Sequence, residues 1–117
     1  MGCALQQKFA QAQLLKAVQL DQNYGPSYTA LGHFYVQVDR DFVRGKKCYQ
    51  KALTLVSNDD EAGVHLADIY IMENNVDLAL SLYKKVTSED PKAAWAWKRI
   101  GYFELIEKGD FEEAGCF

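Results

Sequence analysis

A set of small residues recurs along this chain at a spacing of about 34 positions, and that recurrence limits the fold more than any other feature. Tyr28-x-x-Leu31-Gly32-x-x-Tyr35 returns as Gly63-x-x-Leu66-Ala67-x-x-Tyr70, and again as Trp97-x-x-Ile100-Gly101. Gly32, Ala67 and Gly101 are separated by 35 and then 34 positions. A second small residue follows each of them: Gly45, Ala79 and Ala114. Next come an aromatic and another small or apolar residue, Tyr49 with Ala52 and Tyr83 with Val86. The N-terminal stretch matches this second half through Ala10, Leu14 and Ala17. A fixed period of this length marks stacked supersecondary units, each burying its apolar face against the next.

The spacing inside each unit is helical, so each unit reads as two antiparallel helices, A and B. Small residues belong where A and B cross, because they let the backbones approach closely. Large residues at helical spacing fill the groove beside the crossing. Gly32 to Gly45 is 13 positions, as is Gly101 to Ala114, whereas Ala67 to Ala79 is 12. The extra residue is expected in the A–B turn, where added length costs little. The large-x-x-aliphatic-small-x-x-aromatic opening resembles the tetratricopeptide repeat. That resemblance implies an all-α fold, a right-handed solenoid of antiparallel helix pairs with about seven helices.

Local signals place the helices. A first helix over 2–20 is the B helix of a repeat whose A helix is largely missing. Pro26 opens the next A helix as a first-turn proline, and that helix runs to about 38. Helix B follows over 42–56. Ser57-Asn58-Asp59-Asp60 is a polar turn whose end caps an A helix over 61–73. Asn74-Asn75 turns the chain into a B helix over 77–89. Asp90 is expected to cap, and Pro91 to open, a last A helix reaching about 108. Gly109 ends it, and Asp110 starts a final helix cut short at Phe117. The organisation is a partial repeat 1–24, repeats 25–59 and 60–93, and a truncated repeat 94–117. Neither end has the polar capping unit a solenoid needs, so the expectation is a slice of a longer array, with Met1 not established as its natural start.

Composition removes several function classes. About half the 117 residues are hydrophobic and a quarter charged, which suits a folded chain. The formal net charge of −3 argues against nucleic acid as a main ligand. The basic run Arg40, Arg44, Lys46, Lys47 and Lys51, diluted by Asp39 and Asp41, reads as a solvated helix face. Three cysteines at long spacings suggest neither a disulfide framework nor a metal knuckle, and fit a reducing compartment. No apolar run approaches the roughly 18 residues of a membrane span, so no membrane partner is expected. Met1-Gly2-Cys3 hints at myristoylation, but Gln6 stands where Ser or Thr is needed.

Some stretches depart from a generic repeat. Leu31-Gly32-His33-Phe34-Tyr35, the extra turn residue and Cys48-Tyr49-Gln50-Lys51-Ala52-Leu53 form one unusual combination. Asp59-Asp60-Glu61-Ala62-Gly63 puts glycine where a large residue normally sits, and Trp95-Ala96-Trp97-Lys98-Arg99-Ile100-Gly101-Tyr102 follows. Over residues 25–114 these resemble the large tetratricopeptide scaffold subunits of superkiller complexes. The resemblance implies a non-catalytic scaffold holding an RNA helicase and a WD-repeat subunit, in an assembly that feeds RNA to the cytoplasmic exosome for 3′-to-5′ decay. It implies a cytoplasmic location, with the nucleus as the alternative, and no cofactor. Two other readings are a peptide-binding adaptor and the regulatory array of a larger enzyme.

In such arrays the A helices line the concave face. Counting from the small residues, its outward positions are Thr29, His33, Val36 and Gln37; then Val64, Asp68, Ile71 and Met72; then Lys98 and Tyr102. The protein-binding residues expected from this row are Thr29, His33, Gln37, Val64, Asp68, Met72, Lys98 and Tyr102. A basic clamp for an acidic carboxyl tail is not expected, because only Lys98 is basic and Asp68 would repel a carboxylate. His33 is expected to face the groove and His65 the inter-repeat surface, so they form no metal site. Cys48 belongs to the packed B-helix face and not to a nucleophile pair.

Overall fold

The computed structural model describes residues 2–107 of the backbone, and side chains from Leu5 to Leu105. Six helices account for nearly all of it: α1 (Gly2–Leu20), α2 (Gly25–Gln37), α3 (Phe42–Leu55), α4 (Asp60–Met72), α5 (Val76–Glu89) and α6 (Ala94–Glu107). No strand occurs among the described residues. Short connections fold each helix back on its predecessor, and α2 with α3 is the closest pair. The stack measures 50 × 33 × 23 Å. The expected seventh helix, together with Gly109, Asp110 and Ala114, lies outside the described residues.

Helices α1 to α5 begin within a residue of their expected starts, because their boundaries are chemically marked. Asp41 accepts from the Arg44 amide at 3.1 Å, and Asp59 accepts from the Ala62 amide at 3.2 Å. Each carboxylate satisfies a first-turn N–H that the helix itself cannot. The extra residue falls where expected: four residues join α2 to α3 and three join α4 to α5. Each turn has one residue with positive φ, Arg40 at 55° and Asn74 at 65°. Asn tolerates that region; Arg does so at a cost.

One boundary differs. Helix α6 starts at Ala94, not at Pro91. Asp90 is extended, as a residue before proline prefers. Its carboxylate accepts from the Lys92 amide at 3.1 Å and from the Asn58 side-chain amide at 2.9 Å. The Asp-Pro pair therefore closes a turn tied to the α3–α4 connection, and the helix begins after it. The Trp97 indole N–H secures this turn by donating to the Pro91 carbonyl at 2.9 Å.

The core is a string of three clusters along the stack. Leu31, Phe34 and Tyr35 meet Leu14, Val18 and Cys48. Tyr49, Ala52, Ala62, Leu66 and Ile69 form the second, and Ala67, Ala79, Tyr83, Val86, Ala93 and Ala96 the third. The deepest large side chains are the B-helix tyrosines, Tyr49 and Tyr83, both 0 % exposed. Tyr49 packs against Gly32, whose added Cβ would come 2.8 Å from its ring. A Cβ at Gly45 would strike Val36.

Gly63 has its own explanation. A Cβ there would collide with the ring of Trp95. The large residue that a repeat normally carries at this position is thus supplied by the next repeat. Gly63→Ala should cost about 1–3 kcal/mol in urea unfolding. In a Trp95→Leu background the same change should cost far less, because the ring it strikes has gone.

Candidate protein-binding surface

The A helices α2, α4 and α6 bring the expected concave row together only in part. Gln37, Asp68, Met72, Lys98 and Tyr102 are exposed, with Met72 at 65 %. His33 and Val64 are half-buried. Thr29 does not face outward: it is 4 % exposed, and its hydroxyl donates to Asp59 at 3.0 Å. The expectation for Thr29 is therefore corrected. Asp59 uses one oxygen to cap α4 and the other to take the Thr29 proton, which ties α2 to the next repeat.

A polar cluster missed in the sequence sits beneath the row. The His33 and His65 rings meet edge-on with centroids 4.6 Å apart. His33 Nδ1 lies 2.7 Å from the Tyr49 hydroxyl, and Nε2 lies 3.4 Å from Glu61 Oε2. His65 Nδ1 lies 2.8 Å from the Glu61 carbonyl, so that nitrogen carries the donated proton. If His33 donates through Nε2 to Glu61, its Nδ1 accepts from Tyr49. His65 thus faces the inter-repeat surface, and there it meets His33 of the preceding repeat.

Repeat register explains the cluster. His33 follows the small residue of its A helix, and His65 precedes the next small residue by two. The same two positions one repeat on are Asp68 and Arg99, and these pair at 3.9 Å. The α2–α4 and α4–α6 junctions therefore each carry one cross-helix polar pair above a buried B-helix tyrosine. Comparing the junctions in register would have found both pairs.

The tyrosines differ in how they are satisfied. Burial pushes the Tyr49 phenol well above the usual tyrosine range, with Cys48 and Glu61 adding to it. Burial raises Tyr83 as well; Asp68 adds to this and Arg99 opposes it. Both phenols stay protonated at neutral pH. Tyr49 has His33 as partner, whereas neither the Tyr83 hydroxyl nor the Trp95 indole N–H has a hydrogen-bond partner among the described residues. Tyr49→Phe should lower stability by about 0.5–1.5 kcal/mol. Tyr83→Phe should be neutral or stabilising, because it removes a buried hydroxyl that gains nothing. Chemical denaturation of the two variants side by side tests the contrast.

A concave pocket between α2 and the start of α4 is lined by Pro26, Thr29, Ala30, His33, Asp59, Asp60 and Glu61, with a volume of about 290 Å³. Its three carboxylates would repel an acidic tail, as Asp68 would. No group of three His, Cys, Asp or Glu side chains converges as metal ligands among the described residues. No described helix is long and apolar enough to cross a membrane. Cys48 packs against the cluster of Leu31, Phe34 and Tyr35, and burial pushes its thiol up to about 11. At pH 8 that leaves about a hundredfold less thiolate than an ordinary cysteine has. Alkylation at Cys48, read by mass spectrometry, should be slower by about that factor in the native chain than in urea.

No family model matches the chain. Individual relatives do. Tetratricopeptide repeat protein 37 of Xenopus laevis is 37% identical over 98 residues, 82% of this chain and 6% of that protein. Superkiller complex protein 3 of Mus musculus is 37% identical over 93 residues, 78% of this chain and 6% of that protein. Superkiller protein 3 of Schizosaccharomyces pombe is 34% identical over 101 residues, 80% of this chain and 7% of that protein. The chain thus spans less than a tenth of the length of these curated relatives. With the repeat register, the paired helices and these relatives together, the chain is a tetratricopeptide-repeat protein that resembles superkiller protein 3 of animals and fungi.

Proposed function

We propose that this chain is a segment of a non-catalytic scaffold in a superkiller complex. In this reading the whole protein holds an RNA helicase and a WD-repeat subunit together in the cytoplasm, and the assembly passes RNA to the exosome for 3′-to-5′ decay. The observation that carries it is the likeness to relatives from frog, mouse and fission yeast that spans about four-fifths of the chain. The structure is consistent with a binding role. Its polar clusters are spent on joining repeats, Cys48 is held as a thiol, and the exposed row offers contacts rather than a reacting group.

The concave positions that remain open, Gln37, Asp68, Met72, Lys98 and Tyr102, are the proposed contacts on the A-helix face, with His33 and Val64 at their edge. They mix an apolar thioether, an aromatic ring and both charges, which suits a folded protein surface better than a short carboxylate tail. The full-length protein, tagged and recovered from cell extract at moderate salt, should bring down an RNA helicase and a WD-repeat protein. Recovery of chaperones alone would replace this reading with the adaptor one. Recovery of an enzymatic domain on the same polypeptide would replace it with the regulatory-array one.

A further inference from the structure

The two ends of the stack carry open faces that match each other. Inside the stack, an A helix meets the B helix of its own repeat at a crossing of small residues, between α2 and α3 and again between α4 and α5. Helix α6 is an A helix and α1 is a B helix, and among the described residues neither has that neighbour. A Cβ added at Gly101 would meet nothing within 4 Å among the described residues, whereas one at Gly32 comes 2.8 Å from the Tyr49 ring. Ala10 is exposed, whereas Gly45 and Ala79, the residues in register with it, are buried.

The repeat register pairs these faces residue by residue. Tyr49 fills the space over Gly32. Its counterpart on α1 is Leu14, and the counterpart of Gly32 on α6 is Gly101. Gly45 receives Val36, and their counterparts are Ala10 and Leu105. The Lys51 ammonium stands over the Tyr28 ring, 5.9 Å from its centre. There the counterparts are Lys16, which is exposed, and Trp97, which is 52 % exposed. The Trp97 indole N–H already donates to the Pro91 carbonyl, so the ring is held in place and its open face is suited to a cation.

Helices α1 and α6 therefore hold the two halves of one A–B pair, built on the crossing that the stack already uses twice. Counted in register, residues 108–117 of the same copy reach only the position of Cys48, short of those of Tyr49 and Lys51. Among the described B helices, α1 is the one whose crossing residue is exposed.

We propose that copies of this chain join end to end, with α1 of one copy packing on α6 of the next as the B half of its repeat. Leu14 then covers Gly101, Ala10 meets Leu105, and Lys16 lies over the Trp97 ring. Two different faces meet, and the step between copies is the step of the repeat itself, so the contact does not close and copies add in a row. The occupant is a second copy, which makes the proposal independent of the superkiller reading and of the concave row.

Sedimentation velocity of the whole chain at rising concentration reads the assembly, and the mass should climb past two copies without a plateau. Ala10→Glu and Gly101→Glu, both at exposed positions, should each weaken association about tenfold or more, and circular dichroism should show that both variants stay helical. Mixed in equal amounts, the two variants should form a pair and stop there, because each keeps one intact face and the intact faces are the complementary ones. The proposal is overturned if the unaltered chain stays a monomer, its α6 face left to residues 108–117 or to a different protein. It is likewise overturned if either variant alone associates as the unaltered chain does, or if the mixture stays monomeric. A closed dimer that Gly101→Glu leaves intact would also overturn it, since α1 would then be pairing with α1.

Discussion

Tyr49 lies across Gly32 so closely that even a methyl group on Gly32 would press into its ring. That contact sets the distance between α2 and α3, and much else depends on it. It buries a tyrosine side chain completely. It also lifts the phenol oxygen to the level of the A helices, where His33 can reach it. The next repeat uses Ala67 and Tyr83 in the same way, with one methyl group more. Because interiors are close-packed, a crossing of this kind tolerates little change in volume on either side. The spacing of small residues is accordingly the most rigid part of the pattern, and the turns between helices absorb any difference in length.

That rigidity makes the architecture legible in the sequence alone. A crossing needs its small residues at fixed helical offsets, so the sequence must repeat them. Capping carboxylates at Asp41 and Asp59 and the Asn74 turn mark boundaries through local chemistry. Asp90-Pro91 misleads because the same two residue types also make a turn, and a distant residue, Asn58, decides between them. The surface is less legible for a related reason. Thr29 occupies an outward position by helical counting, yet Asp59, the N-cap of α4, draws its hydroxyl inward. The contact between His33 and His65 joins helices 32 positions apart, and no local window contains both. Only alignment of one junction on the next, His33 with Asp68 and His65 with Arg99, brings such pairs out.

Net charge is the least informative quantity. The value of −3 conceals helices of opposite sign placed side by side. All four charged side chains of α3 are cations, whereas α4 carries three carboxylates and no lysine or arginine. Adjacent helices of opposite charge attract across the junction, as the Lys46–Glu73 pair shows. What is left over has direction. Carboxylates gather at the concave start of α4, in the pocket beside His33, while Lys47 on α3 and Lys85 on α5 are exposed and form no ion pair among the described residues. Exclusion of polyanions by total charge therefore holds for the concave face and says little about the convex one.

A solenoid presents each helix pair to solvent on two sides, so the residues that stack repeats and the residues that meet partners need not compete. In this chain the division is visible within single helices. Helix α4 spends Glu61 and His65 on its neighbours and leaves Met72 open; α5 buries Ala79, Tyr83 and Val86 and leaves Leu78 open. A partner seated on the A-helix row would then leave the contacts between repeats undisturbed, and the stack would need no conformational change to receive it.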